Sequence, residues 1–274
     1  MRLARPTLDS RASERRRGRL GPALRRRWVR LRYRGTAVEC PCCGREWAAF
    51  VPDWNRPDAI CPGCGSHERH RTLWLYLSEL LEMKARPLEG PLDNAGLLEE
   101  ARPLELLHFA PEHALRTRLA SVPGVRYVTC DLDPAGVDVG ADITAMPFAE
   151  GSFDAIVCSH VLEHVADDRA AMGELRRALR PGGWALVMVP IDAARARTYE
   201  DPHHTTPAQR ERAFWQHDHV RLYAPDIADR LRGAGLEVRV VRMADSLPAE
   251  APRRHGLLED ELIFHCSRPP SAAG

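Results

Sequence analysis

Three observations predict an α/β protein, a doubly wound and mostly parallel sheet preceded by a small cysteine-rich module. The first is a pair of CPxCG turns early in the chain. The second is an alternation of apolar runs and amphipathic segments from residue 104 onward, and the third is that those runs are apolar almost without interruption, as strands buried on both faces are. With 274 residues the chain can form one large domain or two unequal ones, and its core needs no help from disulfides. Hydrophobic residues at 44% and charged residues at 28% exclude a wholly disordered or fibrous chain. The longest apolar run, Trp184 to Ile191, is too short to cross a bilayer, and no segment near the N-terminus reads as a signal peptide. A cytoplasmic protein without a membrane span is expected.

The net charge of +1 hides an asymmetry. Residues 1–34 hold 13 Arg against Asp9 and Glu14, a local net of +11, which leaves 26 basic and 36 acidic side chains, or −10, for the rest. Attraction to polyanions such as nucleic acid therefore belongs to this arm. A frayed or partly helical extension that solvates itself is the preferred reading, ahead of RNA or anionic-lipid binding.

Residues 35–66 form the cysteine-rich module. Cys40-Pro41-Cys42-Cys43-Gly44 and Cys61-Pro62-Gly63-Cys64-Gly65 are separated by 17 residues between Cys43 and Cys61. Each CxxC turn can aim two thiolates at one tetrahedral ion, so Cys40, Cys43, Cys61 and Cys64 are the expected ligands of a structural zinc. The glycine after each turn would bring amides to face the sulfurs. Cys42 should point away from the metal, and Cys130, Cys158 and Cys266 should behave as small buried hydrophobes. Four thiolates close the coordination sphere, so the ion should supply folding free energy rather than a Lewis acid. Loss of Cys61 is expected to loosen the module and leave the later sheet folded.

Residues 67–103 read as a helix and linker, the helix carrying Leu73, Leu77, Leu80 and Leu81 at helical spacing. From 104 to 268 the expected elements are a strand at 104–110, a helix at 112–119, strands at 125–130 and 153–158, a helix at 169–179 stopped by Pro181-Gly182-Gly183, a strand at 184–189, a helix at 227–231, and strands at 236–241 and 261–266. Residues 191–220 are a long insertion, read as a lid over a substrate pocket with one small helix near 207–214. Residues 269–274 form a tail.

In open parallel sheets ligands lie beyond the carboxyl ends of the strands. There Asp131 and Asp133 could hold the hydroxyls of a ribose, and Asp142 beside Ile143 suits an amino group and ring face of adenine. Ser159 and His160 follow the next strand.

The order of these signatures resembles the class I S-adenosylmethionine-dependent methyltransferases of the type 11 sort. The similar stretches are YVTCDLDP, then ADITAMPFAEGSFDAIVCSHVLEHVADDRAAMGELRRALRPGGWALVMVP, then HDHVRLYAPDIADRLRGAGLEV, within about residues 104–245. The ribbon followed by CGSHERHRTLWLYL is similar to a bacterial subgroup with a zinc ribbon fused ahead of such a domain. The resemblance implies a Rossmann-like methyltransferase sheet of seven strands with the last antiparallel. It implies Asp131 as ribose ligand, Asp142 and Ile143 as adenine contacts, Ser159 and His160 beside the methionine part, and His219 near the acceptor. The family's first motif has an acid followed by several glycines. Here it reads His108-Phe109-Ala110-Pro111-Glu112-His113-Ala114, without glycine. Ala110 would permit close backbone approach and Glu112 would meet the cofactor's ammonium.

The resemblance makes methyl transfer to an unidentified small-molecule or macromolecular acceptor the expected activity. A hydroxyl or amine acceptor must lose a proton, for which His219 is the first candidate base, followed by His217 and His160. The alternative is a non-catalytic nucleic-acid-binding or regulatory protein that uses the ribbon and the Arg-rich arm, a reading the acidic body disfavours. His160-Val161-Leu162-Glu163-His164 matches the HxxEH peptidase pattern but follows a strand directly, where a peptidase would place it within a long helix. His203, His204, His217 and His219 suggest a second metal, but their spacing supports no specific geometry.

Overall fold

The computed structural model describes residues 21–53, 56–85 and 102–271. The first 20 residues of the arm and most of the expected linker, 86–101, lie outside the described residues. The rest of the arm is largely helix α1 (Pro22–Arg32), which lies on the cysteine module. Arg30 donates to the carbonyl of Gly63 at 2.9 Å, and the Ala48 amide donates to the carbonyl of Tyr33 at 2.8 Å.

The cysteine module is two short hairpins, β1 (Val38–Cys40) with β2 (Arg45–Trp47), and β3 (Val51–Asp53) with β4 (Arg56–Ile60). Helix α2 (Glu68–Ala85) follows, with Leu73, Leu77 and Leu81 buried at the expected spacing. Then come β5 (Leu104–Phe109), α3 (His113–Leu119), β6 (Val125–Asp131), β7 (Val139–Gly140), β8 (Phe153–Ser159), α4 (Asp168–Ala178) and β9 (Leu179–Met188). The insertion contributes β10 (Tyr199–Glu200) and α5 (Pro207–Phe214), and the chain continues through β11 (Arg221–Leu222), α6 (Ile227–Gly233), β12 (Glu237–Arg242), α7 (Ala251–His255) and β13 (Leu262–Ser267).

Seven strands form one sheet in the order β12-β13-β9-β8-β5-β6-β7. The five from β9 to β7 are parallel, and β13 runs antiparallel to both its neighbours. The chain builds outward from β5 to β7 and then returns to place β8 on the other side of β5. The switch point where ligands bind in such sheets therefore lies beyond the ends of β5 and β8. Alternation along the strands divides the core. Leu107, Ile156, Cys158, Ala185, Val187 and Phe264 face α4 and α6, while Leu106, Ala155, Val157, Leu186, Met188 and Ile263 face α2 and α3.

One expectation needs correction here. Cys40, Cys42, Trp47, Phe50 and Cys61 share the second apolar cluster with α2 and the sheet, so the ribbon is part of the core that covers one sheet face. Buried Arg71 of α2 reinforces this. Its guanidinium donates to the carbonyls of Ala59 and Ser66 in the ribbon and of His255 and Gly256 after β12, and stacks 3.9 Å from the Phe50 ring centroid. Loosening the ribbon must therefore uncover the sheet.

A second difference lies at Pro181-Gly182-Gly183, expected to separate helix from strand. The strand begins earlier, with Leu179 paired to Phe153, and the ladder resumes with Trp184 opposite Ala155. The residues between bulge out of register, which lets proline sit inside the strand's span without breaking a ladder bond. At the same edge Asp154 accepts from both Arg102 nitrogens at 2.7 and 2.5 Å, from Arg180 at 2.7 Å and from the Glu105 amide at 2.9 Å. Burial opposes its ionisation, but these donors hold its carboxyl below the usual range. The depressed pKa means the stabilisation is complete above the ordinary carboxylate pKa of about 4 and is lost as pH falls through the folded value. Urea unfolding of Asp154→Asn should show a loss of about 1–3 kcal/mol at neutral pH that shrinks on acidification. A loss independent of pH would contradict the assignment.

Candidate functional site

The four expected metal ligands converge. Cys40 Sγ lies 3.7 Å from Cys64 Sγ and Cys43 Sγ 3.8 Å from Cys61 Sγ, with all four sulfurs within 4.8 Å of one another. A tetrahedron of thiolates at about 2.3 Å from a zinc ion has edges of about 3.8 Å, so the sulfurs stand where such an ion needs them. Gly44 and Gly65 adopt φ of 66° and 76°, a left-handed conformation that closes each knuckle. Their amides donate to the carbonyls of Cys40 and Cys61 and not to sulfur; the amide near a sulfur is that of Gly63, 3.3 Å from Cys61 Sγ. Cys42 does turn away, its Sγ donating to the carbonyl of His70. Cys130, Cys158 and Cys266 are fully buried in the sheet core.

At the switch point the chain leaves β5 through Ala110, whose φ of 48° is the left-handed conformation that glycine usually supplies. The Ala110 amide donates to the Cys130 carbonyl at 2.8 Å, which pins the turn to β6. The chain leaves β8 in the same way. His160 has φ of 54°, and its amide donates to the Met188 carbonyl of β9 at 2.8 Å. Two non-glycine residues in this region are a strained pair at one sheet edge, held by the strands on either side.

The carboxylates stand past neighbouring strands. Asp131 ends β6, where its Oδ1 accepts the Asp133 amide at 3.0 Å and its Oδ2 has no partner among the described residues. Asp142 follows β7, with Oδ1 accepting both the amide and hydroxyl of Thr144, bonds that hold its carboxyl below the usual range. Ile143 beside it is 3% exposed and packs mainly into the core. Ser159 Oγ is buried without a hydrogen-bond partner among the described residues. Buried polar atoms are almost always paired, so an orphan at a strand end fits a ligand site.

Glu112 sits in a buried relay that spacing alone did not reveal. Its Oε2 lies 2.9 Å from His108 Nε2, and its Oε1 lies 3.5 Å from His70 Nε2 on α2. His70 Nδ1 accepts the His67 amide at 3.1 Å, which leaves its proton on Nε2 facing the carboxylate. His108 Nδ1 meets the Tyr127 hydroxyl at 2.8 Å. Burial works against charge on Glu112, but His108 and His70 hold its pKa down to about 2, while burial lowers His70 to about 3. The carboxylate is therefore anionic beside a neutral His70 imidazole.

Beyond β8 and β9 lies a recess of about 680 Å³. His160, Glu163, His164, His219, Trp215 and Glu261 are among its lining residues. Two of the three candidate bases, His160 and His219, line it; the exposed His217 does not. Burial lowers the pKa of His219 and pushes the Glu261 carboxyl up. His203 and His204 instead contact Asp201 and Tyr199 in the insertion. Glu261 and Trp215 carry no signal in the sequence, and Glu163 and His164 appear there only within the peptidase pattern. A second, larger recess of about 880 Å³ is built from α1 and the ribbon and includes Arg26, Arg27, Arg30, Arg34 and Arg45. That is where the described part of the arm gathers its positive charge. Among the described residues no helix is long and apolar enough to cross a membrane.

Residues 113–187 match the family model described as a methyltransferase domain. A demethylmenaquinone methyltransferase of Mycolicibacterium paratuberculosis is 33% identical over 110 residues, covering 35% of this chain and 48% of that protein. One from Mycobacterium marinum is 39% identical over 66 residues, 23% of this chain and 29% of that protein. The chain thus spans less than half the length of these curated relatives. A putative methyltransferase from Bacillus halodurans of known structure is 18% identical with a TM-score of 0.43, covering 70% of this chain and 98% of that one.

Ala110→Val would place a β-branched side chain at positive φ, so differential scanning calorimetry should show a loss of at least about 1 kcal/mol. Ala110→Gly, which relaxes the turn, should be close to neutral. Equal stability of all three proteins would mean that the turn does not hold its left-handed conformation in solution.

Proposed function

We propose that this chain, whose residues 113–187 match the methyltransferase-domain family model, is an enzyme that transfers a methyl group from S-adenosylmethionine to an acceptor in the recess beyond β8 and β9. One observation carries the reading. The switch point of the sheet combines a left-handed Ala110 with Asp131 and Asp142 past the two strands on its far side. That arrangement suits a nucleoside lying across the strand ends.

In this reading Asp131 binds the ribose hydroxyls, and Asp142 with Ile143 borders the adenine. Ala110 lets the backbone approach, and Glu112 supplies the negative charge for an ammonium group. Ser159 and His160 border the methionine part. Bound S-adenosylmethionine supplies a sulfonium methyl that is already activated, so the protein's task is to align the acceptor and exclude water. Positioning of this kind contributes about 7–11 kcal/mol in favourable intramolecular cases. His219 is the first candidate to take a proton from the acceptor, since its neutral Nε2 is unprotonated and lines the recess. His217 and His160 follow it. The insertion 191–220 acts as the lid. Cys40, Cys43, Cys61 and Cys64 hold a structural zinc, and the reducing cytoplasm suits four free thiolates.

Isothermal calorimetry with S-adenosylhomocysteine is expected to show one site per chain, weakened by about 1–3 kcal/mol in Asp131→Ala. An unchanged affinity would assign the ribose to another acid, and no binding by the parent protein would remove the enzymatic reading. Cys61→Ser should lose zinc and lower a single melting transition of the whole chain, because ribbon and sheet share one core. A separate sheet transition at the original temperature would contradict that coupling.

A further inference from the structure

The recess contains a group of donors of which the methyl-transfer reading uses only His219, as a base. Glu163 and His164 lie in the 3₁₀ turn Leu162–His164 that follows β8, and His219 lies far along the chain at the end of the insertion. One ligand atom from each of these three lies within 4.8 Å of the other two. Glu163 is 1% exposed; His160 Nδ1 stands 3.2 Å from its Oε1 but outside hydrogen-bond geometry, and neither carboxylate oxygen has a hydrogen-bond partner among the described residues. His219 is equally buried, with Nε2 unpartnered. Removing a carboxylate from water without hydrogen bonds is costly unless another charge compensates, and a divalent cation is such a charge.

Contacts with backbone and with a carboxylate prepare the two imidazoles. The His219 Nδ1 lies 2.8 Å from the Phe214 carbonyl, which can only accept, so the proton is on Nδ1 and Nε2 keeps its lone pair. A ring nitrogen tied to a carbonyl in this way is the usual support for a metal-binding imidazole. His164 has Asp218 3.3 Å from its Nδ1, and its ring stands edge-on to His219 with centroids 4.7 Å apart. The two segments are locked together. The Val220 amide donates to the Glu163 carbonyl at 2.9 Å, and buried Arg221 donates to the carbonyls of Leu162, Val165 and Ala166 around the turn.

We propose that Glu163, His164 and His219 bind a divalent first-row transition-metal ion in the acceptor recess. Two imidazoles and one carboxylate suit such an ion and leave coordination positions open. This differs from the peptidase pattern, because His160 is not part of the group and the motif lies in a turn. Resting on the methyl-transfer reading, the inference gives the acceptor a chemical class: a hydroxyl-bearing molecule whose oxygen the ion holds and acidifies. With the ion on His219 Nε2, that lone pair no longer serves as the base, and the O–H bond breaks with its proton passing to His160 or solvent. An O–C bond forms to the methyl, and the C–S bond breaks with its electron pair left on sulfur.

The test is a titration of Co²⁺ into zinc-loaded full-length protein, followed by calorimetry and visible absorption. One additional ion per chain is expected, with a spectrum lacking thiolate charge-transfer bands. His164→Ala, at a half-exposed position that folding tolerates, and Glu163→Gln should each weaken binding by at least about tenfold, while His203→Ala should not. No additional ion in the parent protein, undiminished binding in His164→Ala, or a thiolate spectrum would each overturn the proposal. S-adenosylhomocysteine affinity measured on the same samples separates the two readings. Cofactor binding without the metal sinks only this site, and metal binding without the cofactor sinks only the methyl-transfer reading.

Discussion

The parallel ladder joining β6, β5, β8 and β9 is the constraint on which the rest of this molecule depends. Its register places Phe109 beside both Cys130 and Cys158, and Ser159 beside Met188, so four strands end at one edge. Ala110, Glu112, Asp131, Ser159 and His160 hang from that edge, Asp142 and Ile143 follow the adjoining β7, and His219 is brought to it by the insertion. The turns after β5 and β8 are too tight for ordinary backbone conformations, and hydrogen bonds to the adjoining strands hold Ala110 and His160 in the left-handed region. Where glycine would relax the turn, this chain accepts strain in a residue whose neighbours fix its conformation.

The ribbon bears on the same edge from one side. Helix α2 carries Arg71 into the ribbon and His70 toward Glu112, so adjacent helix positions support the cysteine module and the strand-end carboxylate. Arg118 of α3 completes the link by donating to the Cys42 carbonyl. The proposed zinc, in ordering the knuckles, would thereby also order the wall of the proposed cofactor site. This gives the N-terminal module a role that does not require it to touch an acceptor.

Much of the sheet was legible because its signals are local. Strands such as Phe153–Ser159 are apolar throughout, and two CxxC turns announce their own geometry. The start of β9 was misread because proline and glycine mark both helix ends and bulges, and only the partner strand decides between them. The Glu112 relay was illegible because His70, His108 and Tyr127 come from three different elements. Glu163 and His219 meet for a comparable reason: their approach depends on how the insertion folds back to pair β10 with β11, which spacing does not encode.

The central claim is that this edge grips a nucleoside sulfonium without a glycine-rich turn. A crystal structure of the protein grown with S-adenosylhomocysteine tests it most directly. The account predicts the ribose against Asp131 and the adenine between Asp142 and Ile143, with the amino-acid end toward Glu112. Clear density for the ligand elsewhere, or an edge filled only by ordered solvent at saturating ligand, would contradict it.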